Sequence, residues 1–414
     1  MTQTVVILGG GWAGLPLAHK LLKSTAPKTS LKVVLVTPNS HFFWNVAATR
    51  GLIPGEIPDA DLFLPIEPGF RRYPADAFEL VLGSAERIDD AASKVLVRTN
   101  AGAERELAYT HLVIATGSRL TSGLPLKPLG SDEQTLDTWH ALQKRIGEAN
   151  SIVIAGAGAT GVEVAGELAA KYGSTKAITL VMSGSKPLLP DRASSTAATA
   201  GTAGTPSPSL IATLDSDLQS LGVRLIRNAR VTRDEHHHQS DQPAAAGTDA
   251  SSAAHQHRLT LSNDTTLTAD LYLPLHGIRV NTSFVPPHLL DPHNGNVRQD
   301  PTSLRVAGTD NLWALGDVGD AEPKQLTVID AQVIHVAAAL HAVLLTGVPG
   351  GPVPVYVPEK KTMLFLALGR KFATGQIGGW RLWRVLVAWV KGRRLFVDTA
   401  EAYVGGTRLR HAAM

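Results

Sequence analysis

The sequence VVILGGGWAG, Val5–Gly14, joins an apolar run to Gly9-x-Gly11-x-x-Gly14, and an apolar-periodic segment follows from Ala13 to Leu22. A buried strand that turns tightly into a helix has this pattern. Gly9 permits the tight turn, Gly11 lets the backbone approach a pyrophosphate, and Gly14 lets helix and strand pack closely. The N–H groups at the helix start then face the phosphates, with the positive end of the helix dipole behind them. Pro16 sits in the first turn, where a missing N–H costs little. One such fingerprint is weakly specific. A second follows in Ser151–Leu168, SIVIAGAGATGVEVAGEL, with Gly156-x-Gly158-x-x-Gly161.

The strand after each loop departs from the usual dinucleotide pattern. An acid normally ends it and holds the adenosine ribose. Leu31–Val36 runs instead into Thr37-Pro38-Asn39-Ser40, where the Thr37 hydroxyl is the weaker substitute. Ile178–Val181 runs into Met182-Ser183-Gly184-Ser185-Lys186. Ser183, Ser185 and Lys186 suit a 2′-phosphate, which favours NADPH, or no strong choice between NADPH and NADH. Between the loops, His41–Arg50 mixes aromatic and polar residues, as either a packed loop or a flavin-contacting segment. Residues 78–116 read as a β-meander ending in HLVIATG, where an apolar strand meets Ala115-Thr116-Gly117. A helix is expected over 131–150, and two strands over Leu259–Pro274 before a crossing at Leu275-His276-Gly277. Asn311–Leu315 reads as a strand delivering Gly316-Asp317, and a helical pattern runs from Gln325 to Leu345.

The 414-residue chain is long enough for two or three domains, and its 44% apolar content is ordinary for a folded protein. It has no cysteine, which removes disulfides, thiolate metal sites, Fe–S clusters and a dithiol relay, and fits a reducing compartment. The N-terminus shows no signal-peptide pattern, Thr2 excludes myristoylation after Met1, and no apolar run reaches the ~18 residues of a membrane span. Two low-complexity stretches, 193–209 and 235–257, read as solvated insertions. The second holds His236, His237, His238, His255 and His257, but their spacing matches no ordered metal motif. Net charge is +3 but unevenly placed. Residues 359–410 carry 11 Lys and Arg against 3 Asp and Glu, a balance of +8; the rest carries 28 against 33, a balance of −5. Such a tail suits a membrane surface or nucleic acid.

Two dinucleotide loops, an Ala-Thr-Gly return and a late Gly-Asp form an ordered set. It predicts an α/β protein of two Rossmann-like dinucleotide-binding domains with a small α+β C-terminal domain. Residues 1–122 and 277–348 form the FAD domain, 123–276 an inserted NAD(P)H domain, and 349–414 the C-terminal domain. Candidate FAD contacts are Gly9, Gly11, Trp12, Ala13, Gly14, Thr37, Asn45, Arg50, Ala85, Ala115, Thr116, Gly117, Gly316, Asp317, Gln325 and Leu326. Candidate NAD(P)H contacts are Gly156, Gly158, Thr160, Gly161, Glu163, Ser183 and Lys186. Asp317 either meets the ribityl chain of FAD or caps a turn. Glu163 is either a nicotinamide-pocket residue, and so a catalytic candidate, or a helix-surface acid. Hydride transfer between the two cofactors needs proximity and orientation more than a protein acid.

The set resembles the apoptosis-inducing-factor-like flavoproteins, and most of all their apoptosis-inducing-factor homologue 2, or ferroptosis-suppressor, branch. GGGWAG, Phe42–Arg50, GAGATGVEVAGEL and LWALGDVGD are similar to that branch's motifs, and so are LGRKFATGQIGG and KGRRLFVDT, at 368–379 and 391–399. The resemblance implies NAD(P)H-dependent reduction of a quinone through FAD at a membrane surface. Lys360, with Lys361 near the expected quinone site, becomes a second catalytic candidate, able to steady a quinol oxyanion or simply solvated. His276 stands where the family has a small hydroxyl residue, and reads as a packed or capping histidine, or else a catalytic one. Trp380–Val397 interleaves three of the chain's seven tryptophans with five basic residues, a pattern of peripheral membrane contact or of a helix packed on the flavin domain. The expected location is cytoplasmic, with peripheral contact on a lipid-droplet, mitochondrial or other internal membrane. Two other functions fit the same motifs: an FAD-dependent oxidase or biosynthetic tailoring enzyme using O₂ or another small acceptor, and a nucleic-acid-binding pro-death factor with vestigial redox activity. No nucleic-acid motif favours the last.

Overall fold

The computed structural model describes residues 2–189, 205–238, 255–358 and 363–408. Its largest sheet has seven strands, in the order Leu312–Ala314, His111–Ile114, Gln3–Leu8, Leu31–Thr37, Phe78–Asp89, Lys94–Thr99 and Glu104–Ala108. The first five run parallel and the last two turn back antiparallel. Alternation along these strands divides their side chains between two cores. Val5, Ile7, Val33, Leu35 and Val113 face one, and Val6, Leu8, Val34, Val36, Leu112 and Ile114 face the other. A parallel sheet covered on both faces needs such continuous apolar strands. The helix Gly14–Ser24 buries Leu15, Leu17, Ala18, Leu21 and Leu22, and the long helix Leu326–Thr346 packs beside it.

The second glycine loop opens a four-stranded parallel sheet, in the order Arg224–Ile226, Ala177–Val181, Ser151–Ala155 and Leu271–Pro274. A capping box formed by Ser131 and Gln134 starts the helix Asp132–Glu148 leading into it. The crossings between the two units pair side by side, Ser118–Leu120 against Ile278–Val280. A C-terminal antiparallel sheet, Met363–Ala367, Ala373–Ile377 and Trp380–Arg381, lies on the helix Ala159–Tyr172. That approach needs Gly166, where a Cβ would come within 2.5 Å of the Leu368 side chain.

Five expectations need correcting. Three strands rather than two occupy the region to Pro274, and the first, His255–Leu261, begins inside the supposed 235–257 insertion. It pairs with Val231–His238, and His257 is buried with Nδ1 2.9 Å from Asp234 Oδ1, so this histidine is a core residue. The 193–209 stretch likewise ends in structure, because Ser207 caps the helix Pro208–Ser220. Leu326–Thr346, at 21 residues, is long and apolar enough to cross a membrane by length and composition, but most of its apolar window is buried as a core helix. Trp380–Val397 is not one helix: a two-residue strand, a helical turn at Arg384–Val387, a π turn at Ala388–Gly392 and the 3₁₀ turn Val397–Thr399 succeed one another.

Candidate functional site

The two glycine loops have nearly identical geometry. Gly9 and Gly156 both have φ +111°, and a Cβ there would lie 2.3 Å from the Ala115 carbonyl oxygen and 2.7 Å from that of Leu275. Gly14 and Gly161 pack helix on strand so closely that a Cβ would come within 1.9 and 1.8 Å of the carbonyl oxygens of Gly9 and Gly156. At the middle glycines, Gly11 and Gly158, a Cβ would meet no described atom within 4 Å. Each loop is therefore closed where helix and strand meet and open beside the helix start, the space a pyrophosphate needs. Thr160 is exposed at the start of the second helix.

A cavity of about 500 Å³ opens over the first loop. Of the expected FAD contacts, Gly9, Gly11, Trp12, Ala13, Thr37, Asn45, Ala85, Ala115, Thr116, Gly117, Gly316 and Asp317 line it, whereas Gly14 does not, because it is used to pack the helix on the Gly9 turn. Trp12 donates from Nε1 to Asn45 Oδ1 at 2.8 Å, which holds the loop residue against the His41–Arg50 segment. Thr116 and Asn281 lock the crossing: Thr116 Oγ1 donates to the Asn281 carbonyl at 2.6 Å, and Asn281 Nδ2 donates to the Thr116 carbonyl at 2.9 Å. Asp317 accepts from Ser118 Oγ at 2.6 Å and Lys127 Nζ at 2.7 Å. Burial pushes this carboxyl up, but Lys127, Ser118 and Lys324 together outweigh burial and hold it below the ordinary carboxylate range. Lys127, Ser118 and Asn281 line the cavity, and no local pattern in the sequence marked them.

Several expected contacts lie elsewhere. Gln325 and Leu326 stand at the start of the helix Leu326–Thr346 but do not line the cavity; Ile329, one turn on, does. The helix reaches the Gly-Asp turn through Gln332, whose Oε1 accepts from Gly316 N at 2.8 Å. Arg50 is not a cavity residue. It is buried, donates from Nε and Nη2 to both Glu167 oxygens at 2.8 Å, and donates from Nη1 to the Gly392 carbonyl at 2.8 Å. Burial pushes the Glu167 carboxyl up despite the Arg50 charge. Arg50 thus clamps the first unit, the second unit's helix and the C-terminal segment together.

Glu163, one turn before Glu167, is also buried and turned to the C-terminal domain. Its Oε1 accepts from Lys391 Nζ at 2.7 Å and from Ala367 N at 2.9 Å, so it is no surface acid. Lys391 also donates to the Phe365 carbonyl at 2.7 Å. Lys360 and Lys361 lie outside the described residues, and Lys391 is the cation the C-terminal domain visibly delivers inward. His276 is exposed beside Gly156 rather than packed. In the second unit, Ser183 is half-buried and Lys186 exposed. Beside them Arg227 donates to the Ser185 carbonyl at 2.8 Å and to Asp215 Oδ1 at 2.7 Å. No three His, Asp or Glu side chains among the described residues converge on a metal position.

Residues 3–332 match the pyridine nucleotide-disulphide oxidoreductase family. The chain belongs to that family. Oxidoreductase ptaL of Pestalotiopsis fici is 36% identical, covering 98% of this chain and 99% of its own. Ferroptosis suppressor protein 1 of Taeniopygia guttata is 27% identical over 97% of this chain and 96% of its own, which extends the motif resemblance to nearly the whole length. Among solved structures, the sulfide:quinone oxidoreductase of Aquifex aeolicus has a similar fold, with TM-score 0.68, 17% identity, and coverage of 99% of this chain and 92% of that one. Membership makes the protein an oxidoreductase of the flavin and pyridine-nucleotide class. The disulphide chemistry in the family's name has no means here, because the chain has no cysteine.

Proposed function

We propose that the protein is an FAD-dependent NAD(P)H:quinone oxidoreductase. The observation that carries the reading is the pair of matched glycine loops, each open at its middle glycine, with Asp317 at the far side of the first. Bound FAD would supply the redox chemistry, a two-electron carrier between the nicotinamide and the acceptor. The chain's own residues supply the rest. Gly11 and the following helix start leave room and N–H groups for the FAD pyrophosphate, and Asp317, kept ionised, would accept hydrogen bonds from ribityl hydroxyls. Gly158 serves the NAD(P)H pyrophosphate, while Ser183 and Lys186 supply a hydroxyl and a cation for the adenosine side. Phe43, Phe284 and Ile329 contribute apolar walls that exclude water from the first cavity. Lys391, held by Glu163, is a fixed ammonium suited to steady negative charge on a reduced acceptor.

The motif resemblance to the ferroptosis-suppressor branch, to which the 27% identity with ferroptosis suppressor protein 1 adds nearly the whole chain, supports the quinone. A second reading, another small acceptor, is favoured by the higher identity to ptaL, whose name specifies none. The test is steady-state turnover of the purified protein with NADH and NADPH against a short-chain quinone, with the released flavin identified by mass. FAD and quinone-dependent oxidation of either nucleotide are expected. A quinone that fails to accelerate nucleotide oxidation would move the assignment to the second reading.

A further inference from the structure

We propose that the protein docks on an anionic bilayer surface through the face formed by Trp380, Trp383, Val385, Leu386 and Trp389. Large apolar side chains are rarely left so open on a soluble surface without a use. Trp380 and Trp383 are 83% exposed, Val385 82% and Trp389 66%. Five of the fourteen exposed large apolar residues among the described residues fall within 380–389, so the exposure is concentrated in one ten-residue segment rather than scattered singly along the chain.

The side chains that fix this segment explain why its tryptophans face outward. Arg381 donates to Thr213 Oγ1 at 2.6 Å and Arg384 to Asp217 Oδ1 at 2.8 Å, both on the helix Pro208–Ser220. Val387 is buried beneath the patch, and Lys391 is drawn inward to Glu163. The segment is therefore pinned by Arg381, Arg384, Val387 and Lys391, and the aromatic residues between them are left outside. A loosely held tail would not hold its tryptophans in a fixed outward array.

The type of residue and the charge select the occupant. Tryptophan, with an apolar body and one N–H, favours the headgroup level of a bilayer over its interior or over water. The exposed basic residues Lys371, Arg393 and Arg394 belong to the same C-terminal domain. That domain carries the chain's excess of positive charge on an otherwise acidic protein. A basic surface with exposed tryptophans complements phosphatidylserine-type headgroups, and each basic residue near such a surface adds to the attraction. The docking holds whichever acceptor the active site uses. It would also bring Lys391, two residues after Trp389, close to the lipid surface, where a lipophilic acceptor resides.

The experiment is co-sedimentation of the full-length flavin-loaded protein with vesicles of phosphatidylcholine alone and of phosphatidylcholine mixed with phosphatidylserine. We expect binding to the mixed vesicles, weakened by salt and at least about tenfold weaker to phosphatidylcholine alone. The triple variant Trp380→Ser, Trp383→Ser, Trp389→Ser should lose about tenfold or more of that binding. Its flavin content, circular dichroism and turnover of a water-soluble acceptor should stay unchanged. The pair Arg393→Glu, Arg394→Glu should abolish the preference for the anionic lipid. Absence of vesicle binding, or binding that survives the tryptophan substitutions, overturns the proposal. So does a wild-type dimer, seen by light scattering without vesicle binding, that the triple variant converts to monomer, because the face would then belong to a second copy.

Discussion

At the residue scale, the glycines of the two loops separate a folding role from a binding role. A side chain at Gly14 would come within 1.9 Å of the Gly9 carbonyl oxygen, whereas one at Gly11 meets no described atom. Gly14→Ala should thus destabilise the protein by about 3 kcal/mol, an overpacking cost, read as a lowered urea midpoint. Gly11→Val should leave the apoprotein midpoint unchanged and abolish flavin retention, read from the visible absorbance of the purified protein. A fully yellow Gly11→Val variant contradicts the pyrophosphate assignment. The pair of Glu163 and Lys391 calls for a double variant, since removing either partner alone strands a buried charge. Glu163→Gln with Lys391→Met should keep its flavin yet lower quinone turnover about a hundredfold, as loss of a fixed electrostatic group does; unchanged kcat would reduce the pair to a structural tie. The turn at Gly9 and the close packing at Gly14 were legible in the sequence because backbone geometry within a few residues sets both. Lys391 was not, because its partner lies 228 positions away, and Arg50 was misread because its partner lies 117 positions away. No periodicity carries such pairings.

At the element scale, the expected strands and helices around the loops appear with shifts of a residue or two, since buried parallel strands and amphipathic helices have distinct periods. The segment Trp380–Val397 escaped that reading. Its apolar residues answer two demands at once, an inner face around Val387 and an outer one of tryptophans. Its backbone also adopts φ +49° at Leu395 and +59° at Phe396, positions with side chains where such angles cost about 1–3 kcal/mol each. Trp44 Nε1 donates to the Leu395 carbonyl at 3.1 Å and so ties this turn to the first unit, a contact that local sequence cannot announce. Two buried histidines, one on a core helix and one on a core strand, give the molecule an acid-sensitive term. Burial lowers His19 and His111 from 6.5 to about 4, against weaker effects of their backbone partners. Below pH 6.5 the unfolded chain binds protons that the folded one refuses, so stability falls as pH drops from 6.5 towards about 4. Each histidine accounts for about 3 kcal/mol over that window. Urea midpoints should decline across it, and His111→Phe should reduce the slope; an unchanged slope contradicts the assignment.

At the scale of the whole molecule, three units meet at Arg50 and Glu167. The ion pair is almost wholly buried, and Arg50 also donates to the carbonyls of Gly392 and Arg393. Glu167→Gln leaves a buried guanidinium without its counter-charge and should cost about 3–5 kcal/mol. The loss should be seen as a lowered urea midpoint, with faster proteolysis of the C-terminal segment as a second readout. An unaltered midpoint would show that the junction is held by packing alone. The overall architecture was legible because two glycine loops, the Ala-Thr-Gly crossing and the Gly-Asp turn occur in a fixed order. How the C-terminal segment returns to both nucleotide units rests on contacts formed only on folding. On the proposed function, electrons from a nicotinamide pass through the flavin held in the first cavity to a quinone. Anaerobic stopped-flow tests it most directly: the bound flavin is bleached with NADPH or NADH, then mixed with a quinone or with air-saturated buffer. The flavin absorbance should return rapidly with the quinone and slowly with air. Rapid reoxidation by air, with the quinone inert, would contradict it.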